Sequence, residues 1–235
     1  MSDPLATSEE PAVLAEIRRA LGRTESKAPP PLSPSLPPTE DESSEQVLAR
    51  FIEEVTEVRG QVHSARSSEE VAARIAEICR STGAGEVILS GAPVFSEMNL
   101  SAQLAKENVA TVDATSFRTD QREELIAKLA RCGAGITAID YAIAETGTIV
   151  LSSDEEQSLL VSLLPPVHIA VMRPQQIKMN MAGAVRWLKD ERMGRSQPSR
   201  AANFITGPSR TGDVELILSI GVHGPKELHL IILAA

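Results

Sequence analysis

The sequence predicts a three-layer α/β domain built on a mainly parallel sheet, and three observations lead to this fold class. From residue 45 onward, short apolar runs alternate with segments of helical periodicity. The runs are continuously apolar, as strands covered on both faces of a parallel sheet require. The chain has 235 residues, 42% of them hydrophobic, which is enough for one sizeable core.

The segment ahead of this domain divides into two parts. Residues 1–23 form an amphipathic helical arm, because apolar residues recur at helical spacing over 13–21. Residues 24–44 form a stiff acidic linker, since six prolines fall within 28–38. The helix must bury its apolar stripe, so it either folds back on the domain formed by residues 45–235 or docks on another protein.

Within the domain the elements follow one another in a regular order. An apolar stripe over 47–58 predicts a helix that ends at Gly60. Ser67 opens a capping box for a second helix, which reaches Arg80 and stops at Gly83. The later strands are predicted at 86–90, 109–114, 135–140, 146–153, 168–172, 204–207, 215–220 and 227–233, and the later helices at 97–107, 120–131, 155–164 and 180–193.

Charge and composition narrow the classes of partner. The net charge is −9, and residues 1–60 account for −6 of it, with twelve acids against six bases. Aromatic residues make up only 3% of the chain, so the basic, aromatic-rich face of a nucleic-acid binder is missing. One basic stretch, 173–200, has seven Lys and Arg residues against Asp190 and Glu191. It is either a solvated helix face or a surface for an anionic ligand or acidic partner.

The two cysteines indicate neither a metal centre nor a disulfide. Cys79 and Cys132 lie 53 residues apart and neither belongs to a CxxC pair, so we expect no cluster or metal site in this chain. They are typical of buried thiols in a reducing compartment. The first residues lack the pattern of a secretory signal, and no apolar run is long enough to span a bilayer. We therefore expect a cytoplasmic protein.

The segment 203–225 contains the clearest candidate ligand site. Gly207 and Pro208 interrupt an extended run, and the turn then presents hydroxyl and guanidinium groups that would suit an anion. The alternative is a surface loop whose hydroxyls satisfy its own backbone. With the turn that follows Glu145, the candidate ligand-binding residues are Gly147, Thr148, Thr206, Gly207, Ser209, Arg210, Thr211, Asp213 and His223.

Each polar candidate has a structural alternative. Glu145 follows a predicted strand, where ligands of α/β sheets gather, and it would be a base or nucleophile if buried. It could instead cap the backbone of the glycine turn. Asp213 either pairs with Arg210 or contacts a ligand. His223 either contacts a ligand or belongs to a tight turn, whereas His168 stands between apolar neighbours and is predicted to be a core residue.

Four segments in the same order resemble the lactate-utilisation protein C family, which is built on the LUD domain. They are VLAEIRRALGR at 13–23, AETGTIVL at 144–151, LPPVHIAV at 164–171 and the segment 203–225. Gly212 departs from the alanine usual in the family. The resemblance implies the fold of ribose-phosphate isomerases, glucosamine-phosphate isomerases and coenzyme A transferases. Because those transferases use a glutamate nucleophile, it also marks Glu145 as the candidate catalytic residue.

The resemblance further implies a role in oxidising L-lactate to pyruvate, beside partner proteins that carry iron–sulfur clusters. This chain has no nucleotide, zinc-protease or serine-hydrolase motif, and side chains alone do not accept the electrons. Three hypotheses follow: a non-redox subunit or accessory protein without a cofactor of its own, a free-standing transferase or isomerase that uses Glu145, or a scaffold with a vestigial pocket.

Overall fold

A computed structural model describes residues 16–17, 19–22, 43–117, 119–153, 158–193, 199, 201–212 and 218–234. The chain divides into two compact units, Met1–Pro38 and Thr39–Ala235. In the first unit, residues 16–17 and 19–20 are helical, within the helix predicted at 13–21. Most of the predicted linker, and Asp213, lie outside the described residues.

The second unit contains six α-helices and twelve strands among its described residues. The helices are α1 Ser44–Glu57, α2 Ser68–Thr82, α3 Pro93–Glu97, α4 Leu100–Lys106, α5 Arg122–Leu129 and α6 Met181–Trp187. The strands are β1 Gln61–Ala65, β2 Glu86–Leu89, β3 Ala110–Asp113, β4 Ala134–Ala138, β5 Tyr141–Ile143, β6 Thr148–Ser152, β7 Val167–Met172, β8 Ile177–Lys178, β9 Ala202–Ile205, β10 Arg210–Gly212, β11 Leu218–Ile220 and β12 Glu227–Leu233.

The larger sheet is parallel throughout, as predicted. Its six strands follow the order β1-β12-β7-β4-β2-β3. The chain passes from β2 to β3 at the edge and then crosses to β4 on the other side of β2, so the winding reverses between β2 and β4. All six residues of β7 are buried, which explains why all of them except His168 are apolar.

Helices and a second sheet cover the two faces of the parallel sheet. On one face, α2, α3 and α4 share an apolar cluster with β2, β4 and β7, centred on residues such as Ile75, Leu104 and Ile136. On the other, α1 and the second sheet pack on β7 and β12, and α5 packs on β2. The result is the predicted three-layer α/β arrangement. No helix in the described ranges is long and apolar enough to cross a membrane.

The second sheet was not predicted. It has four strands in the order β8-β5-β6-β9, with β5–β6 and β6–β9 antiparallel. Two of its strands, β5 and β8, contain three and two residues, which is too short for a periodicity to be recognised in sequence. A further antiparallel pair, β10 and β11, leads into the turn before β12.

Two local predictions need correction, and one strand was missed. The helix predicted at 97–107 begins only at Leu100, as α4, because Asn99 adopts a left-handed conformation, with φ of 48°, and separates it from α3, which ends at Glu97. The helix predicted at 155–164 is, in its described part, a single 3-10 turn at Leu159–Ser162. Strand β1 was missed because its QVHSA sequence is polar and lies at the sheet edge.

Helix α2 has the predicted ends but only half of the predicted capping box. The Ser67 hydroxyl accepts the Glu70 N–H at 3.3 Å, and Gly83 ends the helix with φ of 73°. The reciprocal bond differs: the Glu70 carboxylate accepts the N–H of Arg66, at 2.9 Å, instead of that of Ser67. The Arg66 backbone is thereby fixed at the carboxyl end of β1.

Candidate functional site

One cavity lies at the end of the parallel sheet where strands β7 and β12 begin. We call this end, formed by the amino termini of the parallel strands, the amino edge. It has a volume of about 290 Å³, and its walls come from the segments before β7 and β12 and from the predicted turn. We call it the amino-edge cavity and define it by the residues Ser162, His168, Thr206, Ser209, Arg210 and His223. Besides Gly207, four other predicted ligand-binding residues therefore line this cavity: Thr206, Ser209, Arg210 and His223.

The predicted turn itself is packed against the carboxyl end of α1. Gly207 has φ of 76°, and a Cβ atom there would lie 2.5 Å from the carbonyl oxygen of Val58. Arg210 donates a hydrogen bond to that same carbonyl oxygen. A cation at the end of a helix stabilises its last carbonyl groups. Ser209 is held through its backbone, whose N–H donates to the Pro225 carbonyl at 2.9 Å.

The turn of residues 144–148 reaches the same helix. Gly147 has φ of 61°, and a Cβ atom there would lie 2.6 Å from the backbone nitrogen of Val55 in α1. The Thr148 hydroxyl hydrogen bonds to those of Thr146 and Thr206, each at 2.7 Å. The two glycine turns therefore adjoin through Thr148 and Thr206, although Glu145, Gly147 and Thr148 do not line the amino-edge cavity.

Glu145 caps a helix in this structure. Its carboxylate accepts the backbone N–H of Met181, the first residue of α6, at 2.7 Å. The side chain belongs to an exposed residue, whereas the catalytic prediction required a buried carboxylate. The structural alternative named for Glu145 was capping of its own glycine turn, and the observed contact is capping of α6 instead.

His168 is buried, as predicted, and it also lines the amino-edge cavity. Its Nε2 lies 2.8 Å from the Thr137 hydroxyl, and its Nδ1 is buried with no hydrogen-bond partner among the described residues. Burial lowers the pKa of His168 to about 3, so the imidazole is neutral at physiological pH. Buried polar atoms normally have a partner, so a small molecule or water in this cavity could supply one. The exposed His223 is a second imidazole of the same cavity.

A larger cavity lies at the opposite end of the sheet, where the parallel strands have their carboxyl termini. We call this end the carboxyl edge. It has a volume of about 850 Å³ and is lined by the residues that follow β1, β2, β4, β7 and β12. We call it the carboxyl-edge cleft and define it by Arg66, Ala92, Asp140, Met172, Arg173 and Leu233. The sequence analysis missed it. Its polar residues stand singly after strands far apart in sequence, so the available signal was only their position after an apolar run.

Hydrogen bonds hold the walls of the carboxyl-edge cleft. The Gln176 side chain donates to the Ile139 carbonyl at 2.5 Å and accepts the Arg173 N–H at 2.6 Å. Asp140 accepts both the N–H and the hydroxyl of Ser152 at 2.6 Å. Asp140 and Gln176 thus fix the backbone around the cleft, and the guanidinium of Arg173 stays at its rim.

The two thiols lie on opposite faces of the parallel sheet. Cys79 belongs to the cluster under α2, and Cys132 to the cluster under α5. Burial raises the pKa of Cys79 to about 11, and burial with the neighbouring Glu86 carboxylate raises the pKa of Cys132. Neither thiol is predisposed to ionise as a metal ligand. Within the described ranges, no group of three His, Cys, Asp or Glu residues is placed to hold a metal ion.

The fold and the two cavities described above define a three-layer α/β protein with a concave site at either edge of the parallel sheet. The LUD domain family model matches residues 48–233, and the chain belongs to this family.

Several relatives cover most of the chain. It is 30% identical over 194 residues to "Lactate utilization protein C" of Halalkalibacterium halodurans, covering 83% of this chain and 82% of the relative. It is 32% identical over 159 residues to the protein of the same name from Bacillus subtilis, covering 67% and 66%. It is 30% identical over 184 residues to "Uncharacterized protein YkgG" of Escherichia coli, covering 78% and 77%.

A solved structure supports the fold. The crystal structure of a DUF162 family protein from Deinococcus radiodurans superposes with a TM-score of 0.58 at 23% sequence identity. The similarity covers 83% of this chain and 99% of that one. The architecture described above is therefore that of a known protein fold.

Proposed function

We propose that this protein is a non-redox component of a system that oxidises L-lactate to pyruvate, and that it acts with iron–sulfur partner proteins. The relatives from Halalkalibacterium halodurans and Bacillus subtilis, both named for lactate utilisation, support the connection with lactate. The proposal that partner proteins, and not this chain, carry the redox centres is argued from the side chains of this chain.

The observation that carries the proposal is the placement of the thiols. Oxidation of lactate removes two electrons, which requires an acceptor that ordinary side chains do not supply. An iron–sulfur cluster would need several ionised thiolates together, whereas the two cysteines of this chain are buried on opposite faces of the sheet. Partner proteins that carry clusters would provide the electron path.

The amino-edge cavity is the proposed contact for a small organic acid. Its volume of about 290 Å³ suits a three-carbon hydroxy acid or keto acid with bound water better than a large cofactor. The neutral His168 offers a buried nitrogen, and His223 and Ser209 offer further polar groups. Arg210 uses a donor on the Val58 carbonyl, but a guanidinium has five N–H donors in total, so others remain for a carboxylate.

Growth of a deletion strain tests the proposal. In a cell without a second lactate-oxidising route, loss of the gene should prevent growth on L-lactate and leave growth on pyruvate intact. Complementation with His223→Ala should restore growth less well than Arg186→Ala, because Arg186 lies on the exposed side of α6, away from the cavity. Arg210→Ala would also remove the contact with α1, so His223 is the cleaner position.

One further variant separates the proposal from the alternative of transferase or isomerase chemistry at Glu145. Glu145→Gln keeps an oxygen that accepts the Met181 N–H and removes the carboxylate charge. The proposal expects normal growth on L-lactate with this variant, and loss of growth with a normally folded Glu145→Gln protein would favour the alternative. Unimpaired growth of the deletion strain on L-lactate would defeat the proposal itself.

A further inference from the structure

Two cavities adjoin at the carboxyl edge, one on each side of β2. At this strand the direction in which the chain adds new strands to the sheet reverses. The carboxyl-edge cleft extends from the end of β2 past β4 and β7. A second cavity, of about 500 Å³, lies between the ends of β2 and β3, and the two cavities share Ala92. Crevices beyond the strand ends at such a reversal are where open α/β sheets bind ligands, with one part of the ligand on each side.

Asp113 supplies a carboxylate at the end of β3, beside the smaller cavity. Its Oδ1 accepts the N–H and the hydroxyl of Thr115 at 2.8 and 2.7 Å. Its Oδ2 has no hydrogen-bond partner within the part of the chain that the structure describes. An acidic residue at the end of the strand next to the reversal is placed to accept hydrogen bonds from the vicinal hydroxyls of a ribose.

Ser90 gives a second, independent indication of a ligand. It follows β2, is 2% exposed and lines the smaller cavity. Its hydroxyl oxygen is buried without a hydrogen-bond partner among the described residues. Leaving a buried hydroxyl unpaired is unfavourable, so a polar ligand group beside it would supply the missing hydrogen bond.

Arg66 and Arg173 supply positive charge in the carboxyl-edge cleft, the larger of the two cavities. Arg66 follows β1, and its guanidinium has no ion-pair partner among the described residues. The guanidinium of Arg173, which follows β7, lies 3.9 Å from the Glu97 carboxylate, at the limit of an ion pair. Bonds from Glu70 and Gln176 fix the backbone N–H groups of the two arginines and leave their side chains available for a phosphate.

We propose that the two cavities together bind a nucleoside diphosphate. The base and ribose lie in the smaller cavity, with the ribose hydroxyls on Asp113, and the phosphates cross Ala92 into the carboxyl-edge cleft, toward Arg173. A sugar phosphate would occupy only a fraction of this space. This site is separate from the amino-edge cavity and does not depend on the function proposed there.

Calorimetric titration of the full-length protein with ADP tests the site. The wild type should bind ADP with a stoichiometry of one, more tightly than 2′-deoxy-ADP and much more tightly than ribose 5-phosphate. Asp113→Asn keeps the Oδ1 that caps Thr115, and it should weaken ADP binding roughly tenfold while removing the preference over 2′-deoxy-ADP. Arg173→Gln should weaken ADP binding by roughly tenfold or more and leave adenosine binding unchanged.

Arg80→Gln is the matched control, because Arg80 is an exposed arginine in the last turn of α2, far from the cleft. It should bind ADP like the wild type. Absence of ADP binding at millimolar concentration would overturn the proposal. So would equal affinities for ADP in the Asp113→Asn, Arg173→Gln and Arg80→Gln proteins, or a ribose 5-phosphate affinity equal to that for ADP. None of these results affects the lactate assignment, which the growth experiment tests separately.

Discussion

The amino and carboxyl edges of the parallel sheet carry cavities that are built in different ways. At the amino edge, glycine turns pack on α1, and their polar groups largely bond to one another or to the α1 terminus. At the carboxyl edge, single polar residues follow separate strands, and a buried hydroxyl and a guanidinium stay unpaired among the described residues. This comparison shows that glycine-rich polar turns, conspicuous in sequence, can serve close packing, whereas a cavity lined by residues from separate strands leaves almost no local pattern in the sequence.

Substitution of Gly147 should have the largest effect on stability, because the turn of residues 144–148 packs closely against α1. Gly147→Ala places a Cβ atom 2.6 Å from the Val55 nitrogen at a positive φ, so we expect a loss of about 3 kcal/mol or more in the free energy of unfolding. Urea denaturation measures it. Gly85→Ala is the control, since no atom lies within 4 Å of its added Cβ, and its effect should stay within about 1 kcal/mol. Equal losses for the two variants would show that the turn is not packed on α1.

The buried imidazole at the amino edge predicts a loss of stability in acid. The pKa of His168 in the folded protein, about 3, lies below its usual 6.5. Below pH 6.5 the unfolded chain therefore binds a proton that the folded protein does not. Stability should fall as pH decreases from 6.5 towards 3, by at most about 1.4 kcal/mol per pH unit for this one group.

Comparison with His168→Gln isolates this contribution. Burial also lowers the pKa values of His63 and His229, which hydrogen bond to each other at 3.1 Å, so part of the acid sensitivity should remain in the variant. Urea denaturation between pH 7 and pH 5 should show a shallower decline for His168→Gln than for the wild type. Parallel declines would contradict the neutral, buried state of His168.

Substitutions of two buried serines, one at each edge, should have the smallest effects on stability. Ser162, beside the amino-edge cavity, donates its hydroxyl to the Leu159 carbonyl at 2.7 Å, so Ser162→Ala should cost about 1 kcal/mol. Ser90→Ala removes a buried hydroxyl without a partner and should be neutral, or stabilising by up to about 1 kcal/mol. Thermal unfolding of both variants decides the matter. A cost for Ser90→Ala as large as that for Ser162→Ala would mean that the Ser90 hydroxyl is already satisfied.

The fold was largely predictable because its central strands are encoded locally. The apolar run HIAVM within β7 reads as a strand buried on both faces, and Gly83 ends α2 as its sequence position indicates. Edge strand β1 and the short strand β5 lack such patterns, since a polar edge needs no apolar face and three residues show no period. The pairing partners of all these strands depend on long-range contacts that local sequence does not specify.

The candidate sites were less predictable for the same reason. The turn around Gly207 is contiguous, so its residues were found, but its packing on Val58 could not be read from the sequence. Arg66, Asp113 and Arg173 line cavities at the same end of the sheet only because three separate parallel strands end there. A strand order is needed before such residues can be grouped, and the missed strand β1 precedes one of them.

Hydrogen–deuterium exchange with two ligands tests the separation of the two edges most directly. With ADP, amide protection should increase at 90–101, 113–117 and 172–176, around the carboxyl-edge cavities, and stay unchanged at 204–212. With L-lactate or pyruvate, protection should increase at 204–212 and 221–225, and the carboxyl-edge segments should exchange as in the free protein. If both kinds of ligand protected the same edge, the assignment of separate sites to the two ends of the sheet would be wrong.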